Sequence, residues 1–136
     1  MNTTKLLMTL LMAALLALGS GCVLFVAGAV AGAGVAGYAW VNGEIKTTVS
    51  ASLNQSWQAS LAAMNDLQFP VTSKAKDALE GDLTAQNAKD TTIKINLKYI
   101  SNTSTEIRIR VGTFGDEALS RTILEKIRAH LPSQGD

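Results

Sequence analysis

Cysteine and histidine occur once each in this 136-residue chain, and proline twice. A lone cysteine cannot close an internal disulfide, so Cys22 is a free thiol, an intermolecular link or a modified residue. With no second cysteine or histidine the usual zinc sites cannot be assembled, and no clustered acidic loop offers calcium its oxygens. Serines are plentiful, yet no GxSxG elbow presents one as a nucleophile. His130, the only histidine, stands where a helix should end, a position in which it complements the helix dipole. No catalytic residue, metal ligand or cofactor site emerges, and the residues point away from an enzyme. Charge is balanced as well as scarce. Twelve Lys and Arg against eleven Asp and Glu leave a formal net charge of +1, which gives no basic footprint for nucleic acid.

What the chain has in quantity is apolar, charge-free length near its N-terminus. Lys5, an apolar run from Leu6 to Leu18 and the small residues Gly19-Ser20-Gly21 before Cys22 have the layout of a secretory leader with its cleavage site. The stretch resembles a bacterial lipobox. That resemblance implies acylation of the Cys22 sulfur, removal of residues 1–21, and a mature protein that begins at the lipidated cysteine. It departs from the commonest lipobox in having Gly19 three residues before the cysteine, with Leu18 one place further back. In the enteric pattern an aspartate after the cysteine retains a lipoprotein in the inner membrane. Val23 stands there, so sorting to the outer membrane is favoured.

Residues 22–41 form the second unit. From Val23 to Val41 there is no charge, and glycine and alanine dominate. As a helix this run would be about 28 Å long, close to the thickness of a hydrocarbon core. Gly28 and Gly32 make a GxxxG pair that Ala33 and Gly37 extend, a face on which membrane helices self-associate. Glycine costs about 1 kcal/mol per residue in a helix, so a flexible apolar tether is the other reading. Tyr38 and Trp40 fit an interfacial aromatic belt or the start of a folded domain.

Residues 42–131 read as one small domain, followed by a tail over 132–136. EIKTTV from Glu44 to Val49 suits a strand that begins as early as Ala39. Ser52-Leu53-Asn54-Gln55 is a capping box, and Leu53, Trp57, Leu61, Met64 and Leu67 recur at helical spacing until Phe69-Pro70 stops the helix. Val71 to Lys76 is a further strand. Leu79, Gly81, Leu83 and Ala85 then alternate with Glu80, Asp82 and Thr84, with Gly81 marking a bulge. Ile93, Ile95, Leu97 and Tyr99 pair across the turn Ser101-Asn102-Thr103 with Ile107, Ile109 and Val111 as a hairpin. Asp116 caps a last helix with the stripe Leu119, Ile123, Ile127 and Leu131. This order predicts an α+β domain, an antiparallel sheet of four to five strands with two amphipathic helices on one face.

WQASLAAMNDLQFPVTSKAKDALEGDLTA from Trp57 to Ala85 and TEIRIRVGTFGDEALSRTILEKI from Thr105 to Ile127 resemble an uncharacterised family of small Gram-negative bacterial lipoproteins, a domain of unknown function. The likeness runs from Cys22 to Leu131. It implies export and a lipid anchor, and it supplies no activity, ligand or catalytic residue.

Two surfaces remain to be weighed. The glycine turn Val111-Gly112-Thr113-Phe114-Gly115-Asp116 lacks the lysine of a P-loop, and Asp116 and Glu117 put negative charge where a phosphate would sit, so it reads as a turn with a helix cap. Lys94, Lys98, Arg108 and Arg110 should project together from the polar face of the hairpin with only Glu106 opposing them. They are candidate contacts for phospholipid headgroups, a peptidoglycan carboxylate or an acidic envelope protein. The expected protein is therefore membrane-anchored, faces the periplasm, and binds or scaffolds there. The alternative is a periplasmic binder of a small ligand or lipid in a groove between helices and sheet.

Overall fold

The computed structural model describes residues 37–133; the leader, Cys22 and the GxxxG pair lie outside the described residues. Strands β1 (Ala39–Val41) and β2 (Glu44–Val49) are followed by helix α1 (Leu53–Asp66), then β3 (Val71–Lys76), β4 (Glu80–Gln86), β5 (Thr92–Ser101), β6 (Ser104–Val111) and helix α2 (Glu117–Ala129). The strands form one antiparallel sheet in the order β1-β2-β6-β5-β4-β3. The α+β class holds, with six strands in place of four to five.

The extra strand is β1. Asn42 and Gly43 both take positive φ, 51° and 82°, the conformation of a two-residue hairpin turn whose twist suits antiparallel strands. Trp40 then pairs with Ile45 and Val41 with Glu44. Residues 39–41 therefore belong to the sheet, and the run from Val23 to Val41 is not one uninterrupted helix. Among the described residues no helix is long and apolar enough to cross a membrane.

Both helix starts follow from their caps. The Ser52 Oγ accepts the Gln55 amide at 3.2 Å while Gln55 Oε1 accepts the Ser52 amide at 2.9 Å. Asp116 Oδ1 accepts the Leu119 amide at 3.0 Å. Helix α1 ends where Gln68 turns left-handed, φ 57°, and the Phe69 amide donates back to the Met64 carbonyl, an arrangement that satisfies the last carbonyls before Pro70.

One face of the sheet carries Ile45, Leu83, Ala85, Ile93, Ile95, Leu97, Ile107, Ile109 and Val111, each at most 2 % exposed. Trp57 and Met64 of α1, and Ile123, Leu124 and Ile127 of α2, are buried in the same core. Beside its sheet-facing stripe α1 also buries Ser56, Ala59, Ser60 and Ala63, and α2 buries Ser120. Such small residues allow the two helices to pack closely against each other. Ser60 Oγ donates to the Ser56 carbonyl at 2.8 Å, which satisfies it without a partner outside the helix.

Two expectations along β3 and β4 are corrected. Gly81 keeps regular pairing with Lys76 and Leu97, and the register shift falls instead between Val71 and Ser73 on the edge strand. Gly81 is needed for a different reason: a Cβ there would lie 2.9 Å from Cε3 of Trp57. Leu79 does not point inward but sits in the β3–β4 turn, 61 % exposed. That turn is organised by Asp77, whose Oδ1 accepts the Leu79 and Glu80 amides, both at 2.8 Å. These two bonds hold the Asp77 carboxyl below the usual aspartate range. A depressed folded value means that the turn contributes stability above the ordinary aspartate range and loses it as pH falls through the lowered value.

Candidate functional site

Alternation along the strands turns Glu44, Lys46, Glu80, Asp82, Lys94, Asn96, Lys98, Glu106, Arg108 and Arg110 to the face opposite the helices. No element of the described residues covers it. Lys94 stands directly across from Arg110, Asn96 from Arg108, and Lys98 from Glu106. All four candidate cations share this one face.

The electrostatics differ from those of an isolated hairpin. Because β5 and β6 lie in the middle of the sheet, β2 and β4 bring Glu44, Glu80 and Asp82 alongside. Lys46, Lys94, Lys98, Arg108 and Arg110 thus face Glu44, Glu80, Asp82 and Glu106, which leaves one cation in excess. Glu106 opposes the cations, as the alternation required, and three more carboxylates join it.

The two arginines are committed within the fold. Arg108 Nε donates to Glu106 Oε1 at 2.8 Å, and Lys46 Nζ lies 3.7 Å from the other carboxylate oxygen. Arg110 reaches the end of the sheet, where its guanidinium donates to the Asn42 carbonyl at 2.6 Å and the Thr113 carbonyl at 3.0 Å, with Glu44 3.9 Å away. It ties the β1–β2 turn to the β6–α2 loop. Asn96 Nδ2 donates to Asp82 Oδ1 at 2.8 Å. Lys94 and Lys98 make no hydrogen bond or ion pair among the described residues, and both are exposed.

Lys94 and Arg110 also form the common wall of two surface depressions. One, of about 730 Å³, runs toward Asp90, Thr91, Gly112 and Thr113. The other, of about 420 Å³, runs across Glu44, Asp82, Thr84, Asn96 and Arg108. Both are half-open and lined by charges of both signs, suited to polar contact and unlike the predominantly apolar pockets that enclose small ligands.

His130 is the C-cap of α2, and its Nε2 lies 2.6 Å from Asp66 Oδ2 in the last turn of α1. The sequence placed it at the helix end but gave no sign of that partner. Among the described residues no group of three or more His, Cys, Asp or Glu side chains is disposed to hold a metal ion. Cys22 lies outside the described residues.

The architecture is that of a small α+β domain with one helix-covered apolar face and one bare polar face. The chain belongs to the family described as protein of unknown function, DUF3568, which matches residues 5–130. Among curated proteins none matches the sequence.

Proposed function

We propose that this is a lipid-anchored cell-envelope protein, acylated on Cys22 and facing the periplasm, whose domain binds or scaffolds at the membrane surface through the bare face of its sheet. The outer membrane is the favoured location, since Val23 follows the cysteine. The observation that carries the reading is the pair of exposed lysines, Lys94 and Lys98, left without a partner on an uncovered polar face. Opposed against them, the seam between helices and sheet is filled: Met64, Leu97, Ile107 and Ile123 are all fully buried. That supports surface contact over a ligand held between the layers.

Two experiments test this. Metabolic labelling with a fatty-acid probe should mark the wild type and leave Cys22→Ser unlabelled; equal labelling of both would remove the anchor. For the face, Lys94→Gln with Lys98→Gln is the clean variant, because neither side chain supports the fold, and exposed substitutions of this kind change stability by about 0.5 kcal/mol or less. Binding to anionic vesicles or to peptidoglycan should weaken in this variant. Wild-type binding should itself fall as salt rises, since exposed charges are screened beyond about 10 Å at 0.1 M. Unaltered binding by the double variant would overturn the role of this face. Arg108 and Arg110 are unsuitable for the same test, since their removal would disturb Glu106 and the two turns that Arg110 joins.

A further inference from the structure

Phe114 is the most exposed large hydrophobic residue of the described chain, at 92 %. Its ring adds nothing to the core, yet the loop that carries it is closely built. Gly115 touches Gly43 backbone to backbone, the Phe114 carbonyl lies against Gly43, and Arg110 holds the carbonyls of Thr113 and Asn42. The β6–α2 loop is thereby fixed to the β1–β2 turn with Phe114 pointing into solvent. Trp40 and Val41, 37 % and 45 % exposed, lie in the strand that ends in that same turn. Trp40 lies across from Ile45 on the helix side of β1 and Val41 across from Glu44 on the bare side, so the two flank this turn from opposite faces, and Phe114 is carried by the loop that abuts it.

The position of this corner in the chain gives the patch its meaning. The uncharged run that begins at Val23 continues through β1 and ends only before Glu44, so any anchor upstream is joined to the domain at β1. Tyr38, the first residue of the folded unit, donates its hydroxyl to Glu117 Oε1 at 3.0 Å, which pins the point of attachment to the first turn of α2. No flexible linker separates the folded unit's first residue from the exposed aromatics.

We infer that this corner, Phe114 with Trp40 and Val41, docks into the headgroup and upper acyl region of the lipid bilayer and sets the orientation of the domain on it. The inference rests on the anchor reading above. Aromatic side chains favour that depth, where an apolar ring and a polar surround are both accommodated. A protein surface or an anionic one is the weaker fit. Glu44, Asp116 and Glu117 stand around the corner and the Arg110 charge is already engaged by carbonyls, so the contact is apolar and does not depend on attraction to negative charge. It is thus distinct in chemistry from the Lys94 and Lys98 face.

The full acylated chain, reconstituted in phosphatidylcholine vesicles with brominated acyl chains, tests it. Phe114→Trp places a fluorophore at the corner, and Leu79→Trp places one in the equally open β3–β4 turn at the far edge of the sheet. Trp40 and Trp57 contribute alike to both variants. The emission added at position 114 should be quenched by the bromolipid and that added at 79 should not, with no change at high salt. Equal quenching at the two positions, or none at 114 in vesicles that carry the protein, would overturn the docking while leaving the anchor intact. Failure of the chain to float with vesicles would overturn the anchor reading, and this inference with it. Quenching abolished by salt would mean that charge and not the apolar corner makes the contact.

Discussion

Gly81→Val is expected to destabilise the domain by about 1–3 kcal/mol, seen as a lower urea midpoint with an unchanged slope. Two effects compete. Valine is a better strand residue than glycine, by up to about 1 kcal/mol. Against that, the first carbon added at Gly81 already lies 2.9 Å from Cε3 and 3.1 Å from Cζ3 of Trp57, and Leu97 Cβ waits at 3.8 Å on the other side. The indole is only 8 % exposed and cannot swing freely into solvent. Overpacking therefore wins. The decisive version is a cycle with Trp57→Leu, which by itself should cost several kcal/mol as a large core truncation. If the ring is what valine strikes, the double variant should be less destabilised than the two singles together by about 1 kcal/mol or more. Simple additivity would show that Gly81 is required for some reason other than the ring above it.

That glycine marks a limit of what the sequence carries. The alternation of Gly81, Leu83 and Ala85 placed it correctly on the buried face, but a missing side chain does not announce what fills the gap, since Trp57 lies on a helix distant in sequence. Local signals did better. The Ser52 and Asp116 caps need only the residues three positions ahead, and the alternation in β5 and β6 needs only one face buried. Both therefore stand as expected. The first strand is harder to separate than to find: a single extended stretch from Ala39 to Val49 includes Ala39–Val41 but runs straight through Asn42-Gly43, where the chain in fact reverses. Asn-Gly between extended residues is itself the strongest short hairpin signal, so β1 was recoverable from it.

Helix–helix packing escaped for a related reason. Ser56, Ser60 and Ser120 are wholly buried, and a search for apolar stripes passes over serine. The candidate site was half legible in the same way. Alternation put Lys94, Lys98, Arg108 and Arg110 on one face, because that depends on strand period alone. Which of them remain available depends on strand order. Only the placement of β2 beside β6 and β4 beside β5 supplies Glu44, Glu80 and Asp82, and only the meeting of two turns distant in sequence engages Arg110.

Gly115→Ala should be the more damaging of two matched glycine substitutions in the β6–α2 loop, costing about 2–5 kcal/mol in all. Gly112 and Gly115 both have positive φ, 71° and 85°, so alanine is strained at either by about 1–2 kcal/mol. Their surroundings differ. At Gly112 an added Cβ would meet only Thr91 Cγ2, at 3.4 Å, close to ordinary contact. At Gly115 it would lie 2.7 Å from Gly43 Cα and overlap the Gly43 carbonyl, and backbone cannot yield as the tip of a side chain does. The two turns must then part, which lengthens the bonds from Arg110 to Asn42 and Thr113. Urea titration of the two variants gives the strain from Gly112→Ala, and the excess in Gly115→Ala reports the close approach. Equal losses would show that the turns tolerate separation. If they do not, Gly115→Ala should also shift the loop that carries Phe114 away from the β1–β2 turn without altering any of the three apolar residues, and the quenching by brominated lipid seen in Phe114→Trp should fall when Gly115→Ala is added. Such a result would tie the orientation of the domain to the contact between Gly43 and Gly115 and not merely to the presence of exposed aromatic rings.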